Sequence, residues 1–132
     1  MTLYRTLKEH VQQVAQRLAL PLGWEGEVFT PPHAPHLRGK IVFTASSPAT
    51  LGAGGLTRTD GYIELSIVAP AGESEKVAEI TDTVQAAFSR GIGIDFTKGT
   101  ATLGLSALGS LHSEGSRIFA AVTIPFWAFS LN

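Results

Sequence analysis

Apolar residues recur with two different periods along the chain, and the period switches several times. Leu3, Leu7, Val11, Val14 and Leu18 fall at steps of four, four, three and four, which sets them on one stripe of a helix that Pro21 closes. Thr6 followed by Glu9 has the spacing of a capping box, but the stripe already begins at Leu3, so the box is discounted. Trp24 to Phe29 and Leu37 to Thr44 are short β-branched and aromatic runs bounded by glycine and proline, and predict two strands. Residues 46–60 contain SSPATLGAGGLTRTD, small and polar side chains that predict a long flexible loop. From Tyr62 to Val68, Ile63, Leu65 and Ile67 alternate with Tyr62, Glu64 and Ser66, the period of a half-buried strand.

A second helix follows Pro70, Ala71 and Gly72. Val77, Ile80, Val84 and Phe88 form its stripe, Glu73 and Glu75 stand at its start, Arg90 lies in its last turn and Gly91 can take the left-handed cap. Alternation returns over Thr100 to Leu105 and Arg117 to Phe129, the latter with Ile118, Ala120, Val122, Ile124 and Phe126 on one face. Pro125 has no N–H to donate, which predicts an edge position or a bulge for that last strand. The order α-β-β-β-α-β-β predicts an α+β fold in a single compact domain over residues 1–132, with two helices packed on one face of a mostly antiparallel, mixed sheet.

Composition narrows what such a domain can do. In 132 residues, ten basic and eleven acidic side chains give a formal net charge of -1, with no basic block to follow a phosphate backbone, so nucleic acid is not an expected ligand. No cysteine is present, which removes disulfides, thiolate nucleophiles and thiolate metal sites. MTLYRTLKEHVQQV is too polar for a signal sequence, and no apolar run approaches the roughly 18 residues of a membrane span. A soluble intracellular protein is expected, without a membrane partner.

Candidate chemistry is sparse. His33 and His36 sit three apart in TPPHAPH, a spacing that could be half of a metal site; three or four converging ligands would be needed, and His10 and His112 lie far off in sequence. A stiff proline corner is the favoured reading, and no metal or cofactor is expected. His112-Ser113-Glu114 reads as a polar loop, because members of a catalytic triad converge in space instead of following one another. GIGID at 91–95 follows a helix instead of opening one, and the glycines at 52, 54 and 55 lack the lysine of a phosphate loop. Glu25 with Glu27 and Glu73 with Glu75 read as solvated faces. No catalytic residue is assigned. What stands out is rigid apolar surface without reactive groups, supplied by Trp24, Phe29, prolines 31, 32 and 35, and IPFWAF near the end.

The order of these segments resembles a known family. A helix ending in Leu-Pro, then WEGEVFTPPHAPHLRGKIVF, then DGYIELSIVAPAGESEKVAEITDTVQAAFSRG, and finally VTIPFWAF, is similar to the tail terminator, or tail completion, proteins of long-tailed bacteriophages. The family's Asn after Trp-Glu is Gly26 here, and residues 103–116 match no part of its pattern. The resemblance implies a non-enzymatic structural protein of the virion tail, assembled in the host cytoplasm. It further implies a ring of copies of the chain, usually six, that caps the head-proximal end of the tail tube, with the tail tube protein and the head–tail connector protein as partners. In such a ring Leu51, Leu56, Arg58, Asp60 and Trp127 are the expected interface residues. The alternatives are a generic protein-binding adaptor or connector component, and a small metal-dependent enzyme built on the His33/His36 corner.

Overall fold

The computed structural model describes residues 2–48 and 55–131. Helix α1 (Leu3–Arg17) starts where its apolar stripe starts, because Thr2 caps it: the Thr2 hydroxyl accepts from the Arg5 N–H at 3.2 Å. It ends before Pro21. Ala19 adopts φ 55°, and the Leu20 N–H returns to the Ala15 carbonyl at 3.0 Å, so the turn is closed by a left-handed residue without a glycine. Strand β1 (Leu22–Trp24) follows, shorter and earlier than the expected Trp24 to Phe29 strand. The chain turns at Glu25 and Gly26, with Gly26 at φ 87°, which ends pairing there.

Next come β2 (His36–Pro48), β3 (Leu56–Pro70) and α2 (Ser74–Ala87), then β4 (Gly93–Phe96), β5 (Gly99–Leu103), β6 (Ala107–Leu108), β7 (His112–Glu114) and β8 (Arg117–Leu131). The domain is α+β, with two helices and a mixed sheet as expected, but three more strands than the alternation reveals. The sheet runs β1-β2-β3-β8-β5-β4, with β6 and β7 also on β8. Among the described residues only β1 with β2 is parallel.

Two expectations are corrected here. Residues 46–60 are not one loop: Ser46, Ser47 and Pro48 pair with Thr59, Arg58 and Thr57, so both arms of a long hairpin occupy most of that stretch, while 49–54 lie outside the described residues. Alternating small polar residues look like a loop in sequence but satisfy their backbone groups across the hairpin. The last strand is central, not an edge. The Pro125 carbonyl accepts from the Gly104 N–H at 2.7 Å, and the N and O of one strand residue point to the same side. The missing N–H therefore faces the break between β5, which ends at Leu103, and β6, which begins at Ala107.

One core joins the layers. Leu7, Val11 and Val14 of α1, Val77 and Val84 of α2 and Phe88, which caps α2, share a buried cluster with Ile63, Leu65 and Ile67 of β3 and Val122, Ile124 and Phe126 of β8. Ile80, expected on the buried stripe, is only half-buried, and Thr81 takes the interior position beside Val77, its hydroxyl donating to the Val77 carbonyl at 2.7 Å. Among the described residues no helix is long and apolar enough to cross a membrane.

Candidate protein interface

The register of the central strands assembles a surface at the hairpin end of the sheet. Arg58 lies opposite Phe129, and Asp60 opposite Trp127. Because side chains two apart in a strand share a face, all four stand together on the side away from the core. The Arg58 guanidinium donates to both Asp60 oxygens, Nε at 3.1 Å to each and Nη2 at 2.9 Å to Oδ1. That bond to Asp60 raises the arginine above its ordinary value, so its charge is permanent. The same guanidinium lies 6.0 Å from the Trp127 ring centre and 5.7 Å from that of Phe129.

Leu56 pairs with Leu131 one step further out on the same face, and Leu131 is 61% exposed. Thr100 and Thr102 of β5 flank Phe129 and Trp127 on the other side. Four of the five expected interface residues, Leu56, Arg58, Asp60 and Trp127, therefore lie on one face, whereas Leu51 lies outside the described residues. Phe129 and Leu131 join this face without having been expected there. Extending the alternation of Trp127 by two and four residues finds both.

A profile of the phage tail terminator protein family matches residues 2–126. The chain belongs to the phage tail terminator family. No curated protein matches it. Among solved structures, one protein shares 18% identity and a TM-score of 0.76 over 95% of this chain and 92% of its own. A chain from the virion of a native gene transfer agent particle shares 12% identity and a TM-score of 0.54 over 98% and 95%. At those identities the likeness is one of fold. Family membership makes the protein a structural component of a phage tail, consistent with the absence of an assigned catalytic residue.

The terminator's histidines fall into separate settings. His36 is buried at 2% exposure, its Nδ1 sits 3.0 Å from the Ala34 carbonyl, and its ring packs against Phe29. Burial lowers its pKa, with the Ala34 carbonyl opposing and Arg117 and Arg38 adding to the fall. His33 is exposed in the adjoining turn. His10 packs edge-on against Phe88 and is lowered by burial and by Arg17. His112 stacks on Phe119. Among the described residues no three His, Asp or Glu side chains gather as a metal site would require. A cleft of about 460 Å³ lies between the start of α1 and the β4–β5 turn, lined by Thr2, Leu3, Phe96, Thr97, Lys98 and Ser130; among the described residues, lysine is the one ionisable side chain in it. Those described residues offer contact area and no acid–base pair.

Proposed function

We propose that this chain closes into a ring of copies of itself, six in number, on the last ring of the tail tube at its head-proximal end. There it stops further polymerisation and presents the surface on which the head–tail connector docks. The family match over residues 2–126 carries this reading. The ring needs a heterologous contact, one patch meeting a different patch on the next copy, and closure instead of chemistry delivers the function. With the helices gathered on one face, the opposite face and the hairpin end remain available for tube and connector. Leu56, Arg58, Asp60 and Trp127 form part of that contact surface, and Leu51 belongs to the segment that joins it.

Assembly in the host cytoplasm follows from the same reading. Native mass spectrometry and negative-stain microscopy over a concentration series, with and without purified tail tubes, test it. Closed rings of fixed copy number with a central hole, and tubes that cease to grow once capped, are expected. A chain that stays monomeric in every condition and leaves tube growth unaltered overturns the proposal.

A further inference from the structure

The sheet has two unpartnered flanks. Strand β1 covers β2 only at Leu37, Arg38 and Gly39, so among the described residues the rest of β2 out to Pro48 has no strand on its outer side. At the other flank, among the described residues, β4 pairs with β5 alone. Thr44 to Pro48, Gly93 and Asp95 are exposed. Open edges of this kind are templates for strand addition.

Register decides what each flank offers. The Pro125 carbonyl and the Leu131 N–H both bond toward the β5 side, so odd-numbered residues of β8 face β5 and even-numbered ones face β3. Carried across the pairs Asp60 with Trp127 and Ala45 with Asp60, this aims the backbone of Ala45 and Ser47 at β3 and that of Ser46 outward. On the far side the Leu103 N–H bonds to the Ile92 carbonyl at 2.9 Å, so Ile92 and Ile94 face β5. Gly93 and Asp95 then present their N–H and C=O groups to the open flank.

Direction and height agree as well. Four antiparallel pairings separate β2 from β4, so the two flanking strands run the same way. Ser46, Thr59, Ala128, Ala101 and Ile94 form one row across the sheet, and Ser47, Arg58, Phe129, Thr100 and Asp95 form the next. The free part of β2 is thus level with β4, and residues at the two ends of a row share a face. In a parallel ladder, a residue that points both backbone groups at its neighbour bonds to the two residues flanking the one opposite.

We infer that β2 of one copy adds in parallel to β4 of the next, with Ser46 opposite Ile94. The Ser46 N–H donates to the Gly93 carbonyl, and the Asp95 N–H donates to the Ser46 carbonyl. This contact rests on the ring reading above and specifies its interface. It is head-to-tail, it keeps strand direction, and it keeps the helices of every copy on the same face, as a cyclic operator demands. Antiparallel addition of the same two edges would put successive copies' helices on opposite faces.

The chain has no cysteine, so introduced thiols report contacts without background. Ser47 and Asp95 end one row on the same face, and the double variant Ser47→Cys, Asp95→Cys should give a ladder of covalent oligomers up to the full ring under mild oxidation, while each single variant stays uncross-linked. Ser46→Pro removes an outward N–H and no bond to β3. It should melt with the parent and raise the half-assembly concentration by about tenfold for each hydrogen bond lost. Asp95→Pro, which acts from the other flank, should do the same. Wild-type rings that form while the double variant gives no ladder and both proline variants assemble normally would overturn this interface and leave the ring standing. Cross-linking of Ser47→Cys alone would overturn it in favour of a two-fold contact. Failure of the wild type to assemble with or without tubes would remove both readings together.

Discussion

Strands β3 and β8 pair along their whole length, yet the two ends of that ladder have different surroundings. From Gly61 to Ala69, and from Ile118 to Phe126, every second side chain is buried under the helices. From Leu56 to Asp60 no side chain of β3 is fully buried, although the hydrogen-bonded pairing with β8 continues without interruption. Backbone pairing and core burial are therefore separable in this molecule: the covered end holds the buried core, and the bare end extends the same scaffold outward. A strand pair held rigid by its neighbours positions side chains better than a loop does.

Removing a buried anchor from the covered end should have the largest effect. Phe88 is fully buried, and Phe88→Ala should cost about 3 to 5 kcal/mol, a large part of a domain's stability, read as a collapse of the denaturant midpoint. A midpoint near that of the parent would mean that α2 does not anchor the core. At the boundary between the ends, Gly61 lies where any Cβ would meet the Val42 carbonyl and would stand 2.6 Å from the Phe126 ring. Gly61→Ala should cost roughly 1 to 3 kcal/mol by overpacking; equal stability would show that the hairpin pivots freely there.

The histidines sharpen the contrast further. His36→Asn removes a buried ring and its contact with Phe29, and should lower the melting temperature, whereas His33→Asn in the exposed turn should not. This divides the corner that sequence treats as one motif. The pH dependence has a definite sign. His10 and His36 are held below their ordinary 6.5, so the unfolded chain binds more protons in the interval beneath that value. Stability should be level above pH 7 and should fall as pH drops below 6.5, measured by thermal melts from pH 7.5 to 5; His10→Gln should make that fall shallower. The smallest effect belongs to the bare end. Arg58→Ala should leave the melting temperature nearly unchanged while weakening assembly, because its ion pair with Asp60 is only partly buried and is screened by solvent. A clear loss of stability would place Arg58 with the scaffold instead of the surface.

The sequence is most readable where helix and sheet meet. Leu7, Val11, Val14, Val77, Val84 and Phe88 carry an amphipathic stripe because each must face one core, and Ile63, Leu65 and Ile67 alternate for the same reason. Away from the core that pressure vanishes. Thr57, Arg58, Thr59 and Asp60 are only half-buried and show no apolar alternation, so their strand looks like a loop, and Gly93 to Phe96 is obscured by the glycine of the turn before it. The candidate interface was legible as residue types, but not as an assembly: Arg58 and Trp127 meet only through a register that links distant segments. Pro125 misled for a related reason, since its neighbour strand is broken at the one place where the missing donor would count.

The central ladder also governs when this chain can fold. Pro70 pairs with Arg117, and the outermost rung joins Leu56 to Leu131, so the middle of the sheet is closed by contacts 47 to 75 residues apart. Such non-local pairing is slow, because the loop must be closed before any contact compensates for it. The two helices and the β2–β3 hairpin can form while synthesis proceeds, but β8, the strand that every other part of the sheet except β1, β2 and β4 pairs with directly, is made last. A nascent chain cannot display the finished bare end. The sheet therefore closes only after the last of its strands has been made, and the bare end takes shape with it.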